Sequence, residues 1–149
     1  MMASMASWQE FERQAPALAE VARRLMEGCR GRVLATLRKD GSPRVSGIET
    51  IWRDGELWTG SMPRAVKAFD LRRDPRMAIH VASAEPDVEE PSAWEGDVKL
   101  AGRAVEVTDP EVLEPFQLPG SDSHLFRIEL AKVVWTRIEG DEMGHGRLA

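Results

Sequence analysis

The sequence predicts a mainly β protein with peripheral helices. The expected architecture is a six-stranded antiparallel barrel, with an N-terminal helix and a second helix between strands three and four. Three observations carry that expectation. Asp40-Gly41 and Asp54-Gly55 each separate two β-prone runs, and Asp and Gly tolerate the positive φ that tight hairpin turns require. Six β-prone runs follow one another, mostly joined by hairpin-like connections, with one helix pattern between the third and the fourth. Strands do not alternate regularly with helices, which disfavours a doubly wound parallel sheet.

Taken in order, residues 16–26 (PALAEVARRLM) place Leu18, Val21, Ala22 and Leu25 at helical spacing, with Pro16 suited to open the helix and Gly28 to close it. Strand one is expected at residues 33–38 and strand two at 43–52. In strand two Arg44, Ser46, Ile48, Thr50 and Trp52 share one face, and Val45, Gly47, Glu49 and Ile51 take the other. Gly47 in mid-strand suits either a β-bulge or the close approach of a flat ring. Strand three is expected at 56–60, a helix at 63–73 capped by Ser61 or Met62, of which Ser61 is the better capping type, and strand four at 77–82. Residues 83–96 form a long acidic connection that either covers a site or stays at the surface. Strand five spans 97–107 with a bend at Gly102, a helical turn opens at Asp109-Pro110, and strand six spans 125–138 with a bend near Ala131. One domain over residues 1–149 is expected, with loose ends at 1–13 and 139–149.

Charge narrows the function. The chain carries 20 Lys and Arg against 25 Asp and Glu, for a net charge of −5. Residues 30–76 run the other way, with eleven basic against six acidic residues. A basic segment inside an acidic chain points to a local anionic ligand, and no basic stripe with interleaved aromatics supports nucleic acid binding. Arg64 and Lys67 lie three apart near the start of the predicted helix, where free amides carry partial positive charge. With the Ser61 hydroxyl they make a candidate phosphate site; the alternative is two solvated helix cations. The three histidines lack ligand-like spacing, so no metal site is expected. Cys29 is the only cysteine, which fits a reducing cytoplasm; Arg30 beside it would favour the thiolate slightly. No secretory signal or membrane span is expected. Neither GxGxxG after the first strand nor GxxxxGK[ST] is present, and no residue stands out as catalytic.

Three stretches, LATLRKDGSPRVSGI, DGELWTGSMPRAVKAFDLRRDPRMAIHV and WEGDVKLAGRAVEV, together resemble the pyridoxamine 5'-phosphate oxidase-like group of flavin-binding split barrels. The resemblance covers about residues 32–107. It implies a six-stranded split barrel of Greek-key type, a homodimer, and FMN at the dimer interface. By position, Lys67 resembles the family's phosphate-binding lysine, Arg64 matches its arginine loosely, and Thr59 and Ser61 resemble the strand end contacting phosphate or ribityl chain. Val45, Ser46, Gly47 and Ile48 resemble the strand along the isoalloxazine ring. Asp70 stands where relatives often carry Asn. The C-terminal stretch VVWTRIEGDEMGHGRLA does not reproduce the substrate motif of true pyridoxamine 5'-phosphate oxidases. The resemblance therefore implies an oxidoreductase using FMN, or the deazaflavin F420, to move hydride to a small molecule. Alternatives are a non-catalytic module holding a flavin, haem or other tetrapyrrole, and a cofactor-free structural barrel.

Overall fold

The computed structural model describes residues 4–29, 31–83, 85–139 and 142–148, with side chains up to Ile138. Its elements are α1 (Trp8–Gln14), α2 (Pro16–Gly28), β1 (Arg32–Leu37), β2 (Pro43–Gly47), β3 (Ile51–Arg53), β4 (Glu56–Ser61), α3 (Val66–Arg73), β5 (Arg76–Ala82), β6 (Asp97–Glu106), α4 (Pro110–Leu113), β7 (His124–Glu139) and β8 (Glu142–Leu148). The strands form one antiparallel sheet in the order β2-β1-β5-β6-β7-β4-β3, with β8 also paired to β7.

The mainly β class holds, but among the described residues eight strands stand where six were expected. The predicted second strand is two strands, β2 and β3, at opposite edges of the sheet. β2 pairs with β1 and β3 with β4, so the chain must cross from one edge to the other at residues 48–50. Alternation continues through the crossing, with Ile48 buried and Glu49 exposed, so periodicity alone cannot reveal the break. Among the described residues the β-ladder does not close. Instead the crossing residues tie the two edges: the Ile48 amide donates to Arg32 O (3.1 Å), and Thr59 Oγ1 donates to Glu49 O (2.7 Å).

Both Asp-Gly turns form. Asp54 and Gly55 take φ of 54° and 75°, the left-handed pair that a two-residue hairpin between β3 and β4 needs. The predicted bend at Gly102 is a register shift between β6 and β7. A Cβ there would lie 1.9 Å from Glu129 O, so only glycine lets the strands approach.

The N-terminal stretch is not loose from Trp8 onward. Ser7 and Glu10 form a capping box on α1, and Trp8 and Phe11 are buried, with Trp8 packed edge-on against Trp52 at 5.4 Å. The core takes the inward residues of β1, β4, β5, β6 and β7 together with α1 and one face of α2. Of the C-terminal end, only the backbone pairing of β8 belongs to the described residues. The acidic connection is tied at its ends by Ser83 Oγ to Gly96 O (2.7 Å). Trp135 Nε1 donates to Glu95 O (2.9 Å), fastening it to β7 rather than to α3. Arg30 lies outside the described residues; burial raises the Cys29 thiol, only partly offset by Arg32.

Candidate functional site

β4 ends at Ser61, and the turn that follows was expected to be the first turn of a helix. It is not. Pro63 precedes a turn in which Arg64 takes φ of 62°, and α3 begins at Val66 with Ala65 at its cap. Ser61 therefore caps nothing: it is the last residue of β4, half-buried, with a hydroxyl that has no partner. Ala65 makes no side-chain cap; Ala68 N donates to Ala65 O (3.0 Å), which leaves the Val66 and Lys67 amides as the free donors at the start of α3. A non-glycine residue in left-handed conformation costs of order 1–3 kcal/mol, and such strain clusters at ligand clamps. Arg64 is exposed and has no partner among the described residues.

Lys67 leans from the first turn of α3 to β2, its Nζ donating to Gly47 O at 3.0 Å. Partial burial lowers its pKa. This bond, with the Thr59–Glu49 bond, brings the ends of β2 and β4 and the start of α3 to one place. Lys67 and Gly47 meet at that junction, Ser61 ends β4, and Arg64 lies in the turn between β4 and α3. Thr59 is buried with its hydroxyl committed to Glu49 O, so it supports the junction and has no donor left for a ligand. Val45, Ser46, Gly47 and Ile48 do not share a face. Val45 is 70% exposed and Gly47 also points outward, whereas Ile48 is buried and Ser46 half-buried on the inner side. A ring could rest on Val45 and Gly47; no atom lies within 4 Å of where a Gly47 Cβ would be.

Asp70, one turn after Lys67, does not neutralise it. Asp70 is 2% exposed and accepts from Thr36 Oγ1 (2.8 Å), Arg44 Nε (2.7 Å) and Arg73 Nη2 (3.0 Å). Burial alone would raise its pKa, but these three donors outweigh burial and hold it below the ordinary carboxylate value. The network anchors α3 to β1 and β2.

A second cluster on the other flank of α3 was not foreseen. Arg72 pairs with both oxygens of Glu106 (2.5 and 3.1 Å), and Glu106 Oε2 lies 2.7 Å from His124 Nδ1. Arg72 Nη2 also lies 3.2 Å from His124 Nδ1, and the buried His124 Nε2 has no partner among the described residues. Burial pushes Glu106 up, but Arg72 and His124 bring it below its ordinary value. His124 is the cross-strand partner of Ser61. The three residues sit far apart in sequence with no motif, so nothing in the primary structure announces them. Among the described residues no group of His, Cys, Asp and Glu suits a metal ion, and no helix is long and apolar enough to cross a membrane.

The fold is thus an antiparallel sheet in which a strand end, the crossing segment and a helix start meet beside cationic and hydroxyl groups. More narrowly, residues 18–139 match the family model described as pyridoxamine 5'-phosphate oxidase, and the chain belongs to that family. No curated protein matches the sequence. Solved structures do. A haem-binding protein from Mycobacterium smegmatis superposes with TM-score 0.64 at 23% identity, covering 89% of this chain and 58% of its own. A protein of unknown function from Agrobacterium tumefaciens str. C58 gives 0.57 at 22% identity, covering 79% and 55%. An F420 reductase gives 0.52 at 21% identity, covering 74% and 94%. The chain thus spans little more than half the length of the first two. At these identities the likeness is one of fold.

Proposed function

We propose that the protein is a flavin- or deazaflavin-dependent oxidoreductase, distinct from true pyridoxamine 5'-phosphate oxidases. It would act as a cytoplasmic homodimer of Greek-key split barrels, with FMN or F420 at the subunit interface. The observation that carries this reading is the junction around Lys67. The uncapped amides of α3, the Lys67 ammonium, the free Arg64 guanidinium and the unpartnered Ser61 hydroxyl are the donors a phosphate group takes. Lys67 would hold the phosphate, and Arg64, turned outward by its left-handed backbone, would close over it. Ser61 would donate to phosphate or ribityl oxygen, and the outward surface of Val45 and Gly47 would support the ring. When bound, the cofactor supplies hydride chemistry to an unidentified small molecule, while the protein supplies position and charge.

A non-catalytic flavin, haem or tetrapyrrole module of the same fold is the second reading. Its support is the likeness to the M. smegmatis protein. Separate titrations with FMN and F420, followed by turnover assays with NAD(P)H and F420H2, test both. Saturable binding with turnover supports the first reading, and binding without turnover the second. Indifference to both cofactors overturns the first.

A further inference from the structure

The junction at Lys67 uses only part of the basic excess in residues 30–76. Four further cations gather around the turn between β1 and β2. Arg38 and Lys39 lie in the turn itself. Arg44 Nε and Arg73 Nη2 both donate to Asp70, at 2.7 and 3.0 Å, and Arg73 also donates to Leu37 O at 2.8 Å, which draws the end of α3 to the turn. The two carboxylates among them are already engaged, Asp70 in its buried network and Asp40 with Ser42. Arg38 has only a long bond to Pro43 O (3.4 Å), and Lys39 has no partner among the described residues. Both are exposed.

The opposite charge sits in the connection between β5 and β6. Residues 83–96 hold five carboxylates and no lysine or arginine. Glu85, Asp87, Glu89 and Glu90 are exposed and make no ion pair among the described residues. The bonds of Ser83 to Gly96 O and of Trp135 to Glu95 O fix the base of the connection, so residues 85–90 project from a held root.

The two clusters lie at opposite ends of β1. The acidic connection follows Val81, the partner of Arg32 at the start of β1, and the basic turn follows Leu37 at its end. The six residues of β1 separate them by about 20 Å at about 3.4 Å per residue, so they do not neutralise each other within one chain. Between them the outward face is apolar, with Val33, Val45 and Ala78 exposed. An apolar face with opposite charges at its two ends is self-complementary. A two-fold axis lying in that face and crossing the strands sets the acidic end of one copy on the basic end of the other, twice over. An axis along the strands would set like charge on like, which interfaces avoid.

We infer that a second copy of this chain covers the face in the antiparallel orientation, with residues 85–90 of each subunit seated against Arg38 and Lys39 of the other. The inference rests on the homodimer reading and adds its orientation and its contacts. It gives Arg38 and Lys39 to the partner chain, leaves Arg64 and Lys67 to the cofactor, and keeps the ring support at Val45 and Gly47 inside the interface.

Charge exchange tests it, by sedimentation velocity on the full chain at low ionic strength. Wild type should be a dimer. R38E/K39E and E89K/E90K each set like charge on like at both contacts and should weaken self-association tenfold or more. All four positions are exposed, and urea midpoints near wild type will show that both variants fold. An equimolar mixture of the two variants restores both contacts and should associate as tightly as wild type, as should one chain carrying all four substitutions. An unchanged association constant in either variant, or a mixture no tighter than the separate variants, overturns the inference and leaves the homodimer reading standing. Growth of wild type beyond the dimer overturns the two-fold closure. A monomeric wild type overturns both the inference and the homodimer reading.

Discussion

Replacing Asp70 by alanine tests how α3 is held against the sheet. The carboxylate is 2% exposed and is the common acceptor for Thr36, Arg44 and Arg73. Removing one member of a buried ion pair costs about 3–5 kcal/mol when the remaining charge stays buried. Here the arginine side chains are 26% and 37% exposed, so water can partly take them back. Thr36 cannot be rescued in that way, and an orphaned buried hydroxyl costs about 1–3 kcal/mol. The expected net loss for Asp70→Ala is therefore about 3 kcal/mol, with Asp70→Asn losing less because the amide oxygen still accepts. The assay is urea unfolding followed by tryptophan fluorescence, comparing midpoints at constant slope. A loss below about 1 kcal/mol would refute the idea that this network anchors the helix.

Other outcomes follow from the same structure. Lys67→Ala should weaken FMN or F420 binding by about 1.5–3 kcal/mol, the range for a charge-assisted hydrogen bond, and unchanged affinity removes Lys67 from the site. Asp70 and Glu106 have folded pKa values held below the ordinary carboxylate range, so they add stability above their unfolded values that is lost as pH falls through the folded ones. Wild type should thus lose stability in acid below about pH 4, with a shallower loss in Asp70→Asn by urea titration at several pH values. Gly102→Ala should cost about 3 kcal/mol or fail to fold, since the new Cβ meets backbone at Glu129; a native midpoint would contradict the close approach. Trp8→Ala should cost about 3–5 kcal/mol, as for other buried aromatics, and a negligible loss would return residues 1–13 to a loose end.

Much of this fold is legible in the primary structure because its signals are local. Asp-Gly turns, the Pro16 helix and the Gly102 bend depend on neighbouring residues, and each forms where expected. The split of residues 43–52 into β2 and β3 is not legible, because inward–outward alternation is the same whether the strand runs on or changes partner. The helix start misleads for a related reason. Pro63 is a good first helical residue, yet the left-handed turn at Arg64 delays α3 by three residues. At the candidate site, Lys67 and Gly47 meet although they are 20 residues apart, a pairing that only the family resemblance suggests. The Arg72–Glu106–His124 cluster spans 52 residues, and neither local pattern nor resemblance points to it.

The edge-to-edge crossing at residues 48–50 works as a clasp. Around the sheet, β2 and β4 are separated by β1, β5, β6 and β7; through the clasp they are one short step apart. Gly47 holds Lys67 from one side, and two residues later Glu49 holds Thr59 from the other. A pull on the β2 rim is therefore felt on β4 directly, without passing through the intervening strands, and opening or tightening of one lip carries the other with it.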